Sequence, residues 1–265
     1  MNDTTLLVRA TLALYRDAAR DATRALARNV WIIGLLPLYS LVLALVERLA
    51  APLGMVGGFL VFLAMAACVS SFLSLLAEAV AHERIRFNEL GQTFGRYLWS
   101  ITGVLFLFWI IALLLSLITQ QNPGLAWLAI AINIGLFVLC NPLPELVYQG
   151  TRDGVGLVDE AAQFMRDNAV EWLLPVAILL TPLFALGLRV ALHEIARFES
   201  VNALGLVQGT LLAWLPPLGE AAQVLTLIVA SVLLAWIMLF RGFLFRSLAR
   251  SGRRQRVFEA RMRGD

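Results

Sequence analysis

The repeated length of the apolar runs constrains this chain more than any single residue does. Six of them, about 30–46, 52–77, 98–118, 125–140, 171–190 and 222–240, approach the roughly 20 residues that a helix needs to cross a hydrocarbon layer of about 30 Å. Inside lipid every backbone N–H and C=O must find its partner within the spanning structure, which leaves helices or closed barrels. The runs lack the strict alternation of a half-buried strand, so the pattern predicts helices. With 60% hydrophobic and only 15% charged side chains, against about 45–50% and about 25% in soluble domains, spanning segments occupy nearly the whole sequence. No room remains for a separate soluble catalytic domain. The expectation is an all-α, polytopic membrane protein with six transmembrane helices, forming one integral membrane domain over 1–265.

A second pattern is laid over the first. From Asn141 to Pro175 an apolar run breaks at Asn141-Pro142-Leu143-Pro144, where each proline removes a helical donor. A turn with Gly154 and Gly156 follows, then an acidic amphipathic helix, and at Trp172 the chain re-enters apolar sequence. The same phrase occurs twice earlier. The chain therefore reads as three repeats of an amphipathic helix plus a hairpin, about 3–80, 82–148 and 150–240, followed by a basic cytoplasmic tail, 241–265. In the first repeat Val8, Leu12, Tyr15, Ala19, Ala22 and Leu26 share a stripe, with Arg9, Arg16, Arg20 and Arg24 off it. That arrangement suits the headgroup boundary, and ordinary packing on the rest of the protein is its alternative. In the second, Asn88 is a cap and Phe87, Leu90, Phe94 and Tyr97 form the stripe. In the third, Val158, Ala162, Met165 and Ala169 share a face, and Asp159 and Glu160 sit in the first turn, where the helix dipole favours anions.

The second span carries Gly57, Gly58, Ala64, Ala66, Ala67, Ser70, Ser71 and Ser74. Small residues let helices approach closely where lipid provides no hydrophobic drive, so this face is expected to pack. Residues 191–218 are too short and too interrupted for a full span and are read as an interfacial or re-entrant segment. Six spans put both termini on one side. Of the 21 arginines, 18 fall on that side, and Arg48, Arg189 and Arg197 on the other. The positive-inside bias then places both termini in the cytoplasm of a bacterial inner membrane.

Motifs for chemistry are sparse. His193-Glu194 begins like the HExxH helix of a zinc protease, but Arg197 stands where the second histidine must be, so the metal lacks a ligand. His193 has no aspartate on its side of the membrane for a nucleophile triad, and there is no GxxxxGK[ST] loop for phosphates. The reading is accordingly non-enzymatic, with no catalytic, cofactor or metal residues. Cys68 and Cys140 lie inside apolar runs and read as free buried thiols. Three residues stand out as a candidate functional carboxylate, a polar break and a second carboxylate: Glu145, Asn141 and Glu78. Unwound carbonyls and a helix end at Asn141-Pro142 are where a cation or proton is handled in transporters. Glu145 emerging at the interface is the plainer alternative. Arg241, Arg246, Arg250, Arg253, Arg254 and Arg256 follow directly on a span and are expected to contact anionic lipid. Nucleic acid is not an expected partner, since no reader fold is present.

The phrases ARNVWIIGLLPLY, RFNELGQTFGRYLWSITGVLFL and GLVDEAAQFMRDNAVEWLLP resemble a superfamily of bacterial six-helix membrane proteins. It includes the membrane domain found beside glycerophosphodiester phosphodiesterases. The resemblance implies an all-helical module that helps an envelope process. Hydrolysis in those relatives belongs to a separate barrel, so no catalytic residue carries over. The outline also resembles the permease of an ABC-2-type exporter, with 82–97 as coupling helix and 191–217 as re-entrant stretch. That alternative implies an ATPase subunit as partner. Otherwise the expected partners are membrane lipid, a second copy of the chain, or another membrane protein.

Overall fold

The computed structural model describes residues 3–82, 90–154, 156–185 and 220–250, and all regular structure among them is helical. In chain order the helices are α1 Asp3–Arg28, α2 Ile32–Ala50, α3 Met55–His82, α4 Leu90–Arg96, α5 Leu98–Gln121, α6 Ala126–Leu139, α7 Leu143–Gln149, α8 Gly156–Ala185 and α9 Glu220–Arg250. Single 3-10 turns at Ala51–Leu53 and Pro123–Leu125 join α2 to α3 and α5 to α6. Five stretches are long and apolar enough to cross a membrane: Ile32–Leu53, Met55–His82, Leu98–Gln121, Pro123–Gln149 and Val224–Arg250. The chain is thus a multi-pass helical membrane protein. The run expected as a further span, 171–190, begins inside α8 and is described as far as Ala185; its end and the segment 191–218 lie outside the described residues.

Two boundaries differ from the sequence reading. The break at Asn141 to Pro144 does not end the fourth span. The helix stops at Leu139, turns through Cys140 and Asn141, and resumes at Leu143 as α7. A proline in the first turn of a helix costs little, because its missing N–H would have no intrahelical partner there. The sixth run is also longer than expected: α9 continues to Arg250, so Arg241, Arg246 and Arg250 stand on a helix and not in a tail.

In lipid an apolar side chain gains little by exchanging lipid for protein, so close approach and polar ties must hold such helices together. Both are present around α3, which touches α2, α4, α5, α7 and α9. At the α2–α3 hairpin a Cβ on Gly57 would lie 2.0 Å from the Ala50 carbonyl oxygen, so only glycine fits. Further along, Ser70, Ser71 and Ser74 are fully buried. Tyr39 Oη and Ser71 Oγ are 2.7 Å apart, and Ser71 Oγ and Thr93 Oγ1 2.8 Å. Ser70 and Ser74 donate to the Thr93 carbonyl at 3.3 and 3.2 Å, and Tyr97 N–H donates to Ser70 Oγ at 3.0 Å. The serines that sequence assigns to packing thus fasten α4, and the entry to α5, onto α3.

On α1 the expected stripe packs inward from Tyr15 onward, with Ala22 and Leu26 buried and Tyr15 and Ala19 against the core, whereas the face of α8 is shifted by about one position. On α1 the buried residues are Ala18, Ala22, Ala25 and Leu26, whereas Val8 and Leu12 are exposed. Small alanines let this half of α1 lie close against α9, where Trp236 Nε1 donates to Thr23 Oγ1 at 3.0 Å. On α8 the buried face is Leu157, Ala161, Phe164, Met165 and Asn168. The sequence stripe on Val158 and Ala162 is one position away from it. Asn168 has φ −132° and ψ 15°, a break inside α8, and its Nδ2 donates to the Phe164 carbonyl at 3.3 Å. A side chain competing for the carbonyl four residues back is a recognised cause of helix bending.

Candidate functional site

The kink between α6 and α7 builds the most polar point of the interior. Glu145 falls in the first turn of α7, where a carboxylate is favoured by the unpaired N–H groups, and its side chain is fully buried. Arg241 of α9 meets it with two parallel bonds, Nε to Oε1 at 2.8 Å and Nη2 to Oε2 at 2.9 Å. The same Nη2 donates to the Asn141 carbonyl at 2.6 Å. Trp172 of α8 covers the guanidinium, 4.9 Å from its ring centroid, and its Nε1 donates to Asn141 Oδ1 at 2.9 Å. The unwound residue, the buried acid, the arginine and the aromatic thus come from α6–α7, α8 and α9 and close on one another.

This geometry shows what holds Glu145 and Asn141 in place. Both carboxylate oxygens are held by one planar guanidinium, the fork-to-fork match that makes arginine suited to buried pairs. A carboxylate engaged in this way fixes α9 to the kink. Arg241, expected at lipid, is 16% exposed in its side chain and spends its donors inside the protein. Arg246 is half-buried, and its Nη1 donates to the Val80 carbonyl at the end of α3, at 2.8 Å. Arg250 is exposed. Arg253, Arg254 and Arg256 lie outside the described residues. Arg241 was legible in principle: the residues after it, Gly242-Phe-Leu-Phe245, are as apolar as those before, which is the signature of a helix that has not yet ended.

Around this pair the helices approach closely. A Cβ on Gly242 would stand 2.6 Å from Tyr148 Oη and 2.8 Å from Val80 Cγ2, and Gln149 Nε2 donates to the Gly242 carbonyl at 3.1 Å. Glu78, the second candidate carboxylate, faces the end of the bundle. It accepts from Arg96 Nη1 at 3.0 Å and lies 3.2 Å from His82 Nδ1, tying α4 to the end of α3. Ser100 Oγ donates to Asp153 at 3.2 Å, and Glu160 accepts from the N–H groups of Thr151 and Arg152 at 3.2–3.3 Å. Arg152 pairs with Asp159. Gly154, with φ +60°, makes the turn between these groups, a conformation that favours glycine.

One tie was hidden in the sequence. Pro175 inside α8 offers no N–H to the carbonyl four residues back, that of Glu171. The Tyr15 hydroxyl of α1 donates to this carbonyl at 2.7 Å. Burial, with the neighbouring Glu171 carboxylate, pushes the Tyr15 phenol up to about 12. Burial likewise raises Tyr97, against the opposing pull of Arg96. Tyr15 thus ties the middle of α1 to the middle of α8, while the ends of α3, α4, α7 and α9 are linked through Glu78–Arg96, Arg246–Val80 and Gln149–Gly242. Comparison of the chain with protein-family models, with curated proteins and with solved structures found no match.

Proposed function

We propose that the protein is a non-enzymatic membrane module of the bacterial inner membrane, a platform on which lipid or another membrane protein assembles. One observation carries the reading: each amphipathic segment is tied to the bundle by a polar bond, α1 to α8 by Tyr15–Glu171, α4 to α3 by Arg96–Glu78, and the turn before α8 to α5 by Ser100–Asp153. The internal charges serve that anchoring, since Glu145 and Arg241 consume each other's polar atoms. What α1 turns outward is a mixed surface: Val8 and Leu12 are exposed among arginines, the pattern of a helix seated at a headgroup boundary. The six-span topology with both termini cytoplasmic, and the threefold repeat, belong to this proposal. The arginine count and the common placement of the three amphipathic segments support them.

The competing reading is a permease subunit of an ABC-2-type exporter, in which an ATPase engages the segment 82–97 and also the N-terminal helix. Affinity purification from native membranes, followed by ATPase assay, separates the two. The platform predicts that no ATPase co-purifies, and that changes on α1 and on α8 disturb partner recovery as much as changes on 82–97. An ATPase whose hydrolysis is lost on reversing Arg84, Arg86 and Arg96 but unmoved by Asp159→Arg and Asp167→Arg would overturn the platform and establish the exporter.

A further inference from the structure

Around its axis α1 presents distinct surfaces in a fixed order. Ala18, Ala22 and Ala25 are buried. At about 100° per residue, Arg9, Arg16 and Arg20 fall within about 40° of one another on the opposite side, and all three are exposed. Val8 and Leu12, 53% and 60% exposed, lie on one side of this ridge. Asp17 and Asp21 lie on the other, where Arg24 pairs with Asp21 at 3.4 Å. Arg16 reaches Asp17 only at 3.6 Å, with the two side chains 81% and 62% exposed, a contact of the kind that contributes little. Arg20 has no ion pair among the described residues. The depth of α1 is fixed as well. Tyr15 donates to the Glu171 carbonyl, where α8 passes from Arg166 and Asp167 to the exposed apolar Val170, Leu174 and Ile178. Its ring also lies 6.4 Å from that of Phe240, one residue before Arg241. On two neighbouring helices, then, α1 crosses at the boundary between apolar and charged sequence. Trp236 Nε1 donating to Thr23 Oγ1 is a second tie, and it holds the rotation of α1 as well as its position.

At that depth the order of apolar flank, arginine ridge and acidic flank is the order of acyl chain, phosphate and water. From this we infer that the open side of α1 is a docking surface for anionic phospholipid, with Val8 and Leu12 in the acyl boundary and Arg16 and Arg20 at the phosphates. Charge placement selects the occupant. Both acids stand on the flank away from Val8 and Leu12, so a headgroup ammonium meets no carboxylate on the lipid side of the ridge. A headgroup layer of net negative charge attracts each arginine, and the apolar flank adds burial that a soluble phosphate does not provide. The contact expected at the end of α9 is thereby moved to α1, since Arg241 spends its donors on Glu145 and Asn141. The inference rests on the lipid side of the platform reading and names its lipid. It fails separately from it, because lipid retention and ATPase recovery are independent measurements.

The test uses the full chain purified in mild detergent and supplied with equal amounts of phosphatidylglycerol and phosphatidylcholine of the same acyl chains, read by native mass spectrometry. The expected result is preferential retention of phosphatidylglycerol. Arg16→Gln and Arg20→Gln, both at exposed positions, should each reduce that preference about fivefold, the worth of one arginine near an anionic surface. Asp17→Asn should leave it equal or larger. A chain ending at Arg250 should keep the dependence on Arg16 and Arg20. Depth is read separately, from spin labels on Leu12→Cys or Asp17→Cys in nanodiscs, with Cys68→Ala and Cys140→Ala in the background. The label at position 12 should be relaxed by oxygen, and the label at 17 by an aqueous nickel complex. Equal retention of both lipids, a preference that survives the double variant Arg16→Gln with Arg20→Gln, or a label at position 12 standing in water overturns the proposal. So does displacement of the lipid by equal glycerophosphoglycerol, which would assign the ridge to a free phosphoester.

Discussion

The Glu145–Arg241 pair gives the sharpest quantitative expectation. Glu145 is fully buried, and Arg241 reaches it with two charge-assisted bonds and reaches the Asn141 carbonyl with a third. Removing one member of a buried pair strands the other, at a cost of about 3–5 kcal/mol, roughly 150- to 5,000-fold in the folding equilibrium. The two single variants should differ. Glu145→Ala leaves a guanidinium that stays charged, with only Asn141 and the Trp172 face to stabilise it. Arg241→Met leaves a carboxyl group that can shed its charge by taking up a proton, so it should be the milder change. The double variant Glu145→Leu with Arg241→Met buries no charge and should cost less than either single change, because well-packed apolar replacements of buried pairs are often neutral. Glu78–Arg96, with both side chains partly exposed, is the internal control, and Arg96→Ala should cost no more than about 1 kcal/mol. Reversible unfolding in mixed micelles, run as a double-mutant cycle, measures all of these. Single-variant losses below about 1 kcal/mol, or a double variant equal to the sum of the singles, would refute the view that this pair locks α9 to the kink.

Further outcomes follow from particular contacts, each read by the same unfolding assay. Gly242→Ala places a Cβ against Tyr148 Oη and Val80 Cγ2 and should cost about 1–3 kcal/mol, as overpacking does; Gly103→Ala, with open space around it, should be neutral or slightly stabilising. Tyr15→Phe withdraws the donor that serves the Glu171 carbonyl beyond Pro175, at about 1–3 kcal/mol. Because folding raises the Tyr15 phenol to about 12 from its ordinary 10.0, its contribution is complete below pH 10.0 and disappears as pH rises through about 12. The Tyr15→Phe variant should therefore show less alkaline loss of stability than the parent. Thr93→Val removes the hydroxyl link to Ser71 but keeps the carbonyl that Ser70 and Ser74 use, and should cost about 0.6 kcal/mol, the average for hydrogen bonds between membrane helices.

Much of the architecture was readable without coordinates because it rests on one-dimensional physics. Run length against bilayer thickness marked the spanning helices. Proline and glycine marked the joints at Ala51–Leu53, Pro123–Leu125 and Gly154, since their backbone limits act locally. Asn141 and Glu145 were singled out for the same reason, an acid beside broken helix in an apolar setting. What they do was not readable. Their partner, Arg241, lies about a hundred residues along the chain, and a basic cluster after an apolar run looks the same whether it faces lipid or a buried acid. Only the packing of α9 against the kink made Arg241 internal and joined it to Glu145. The face of α8 was placed about one position off for a related reason. Periodicity ranks side chains by apolarity, whereas the bundle selects for closeness, and on α1 it buries Ala18 and Ala25 beside the expected Ala22 and Leu26. In a solvent as apolar as the core, hydrophobicity stops telling inside from outside, and small residues and polar ties, which only the tertiary structure reveals as pairs, decide which face is buried.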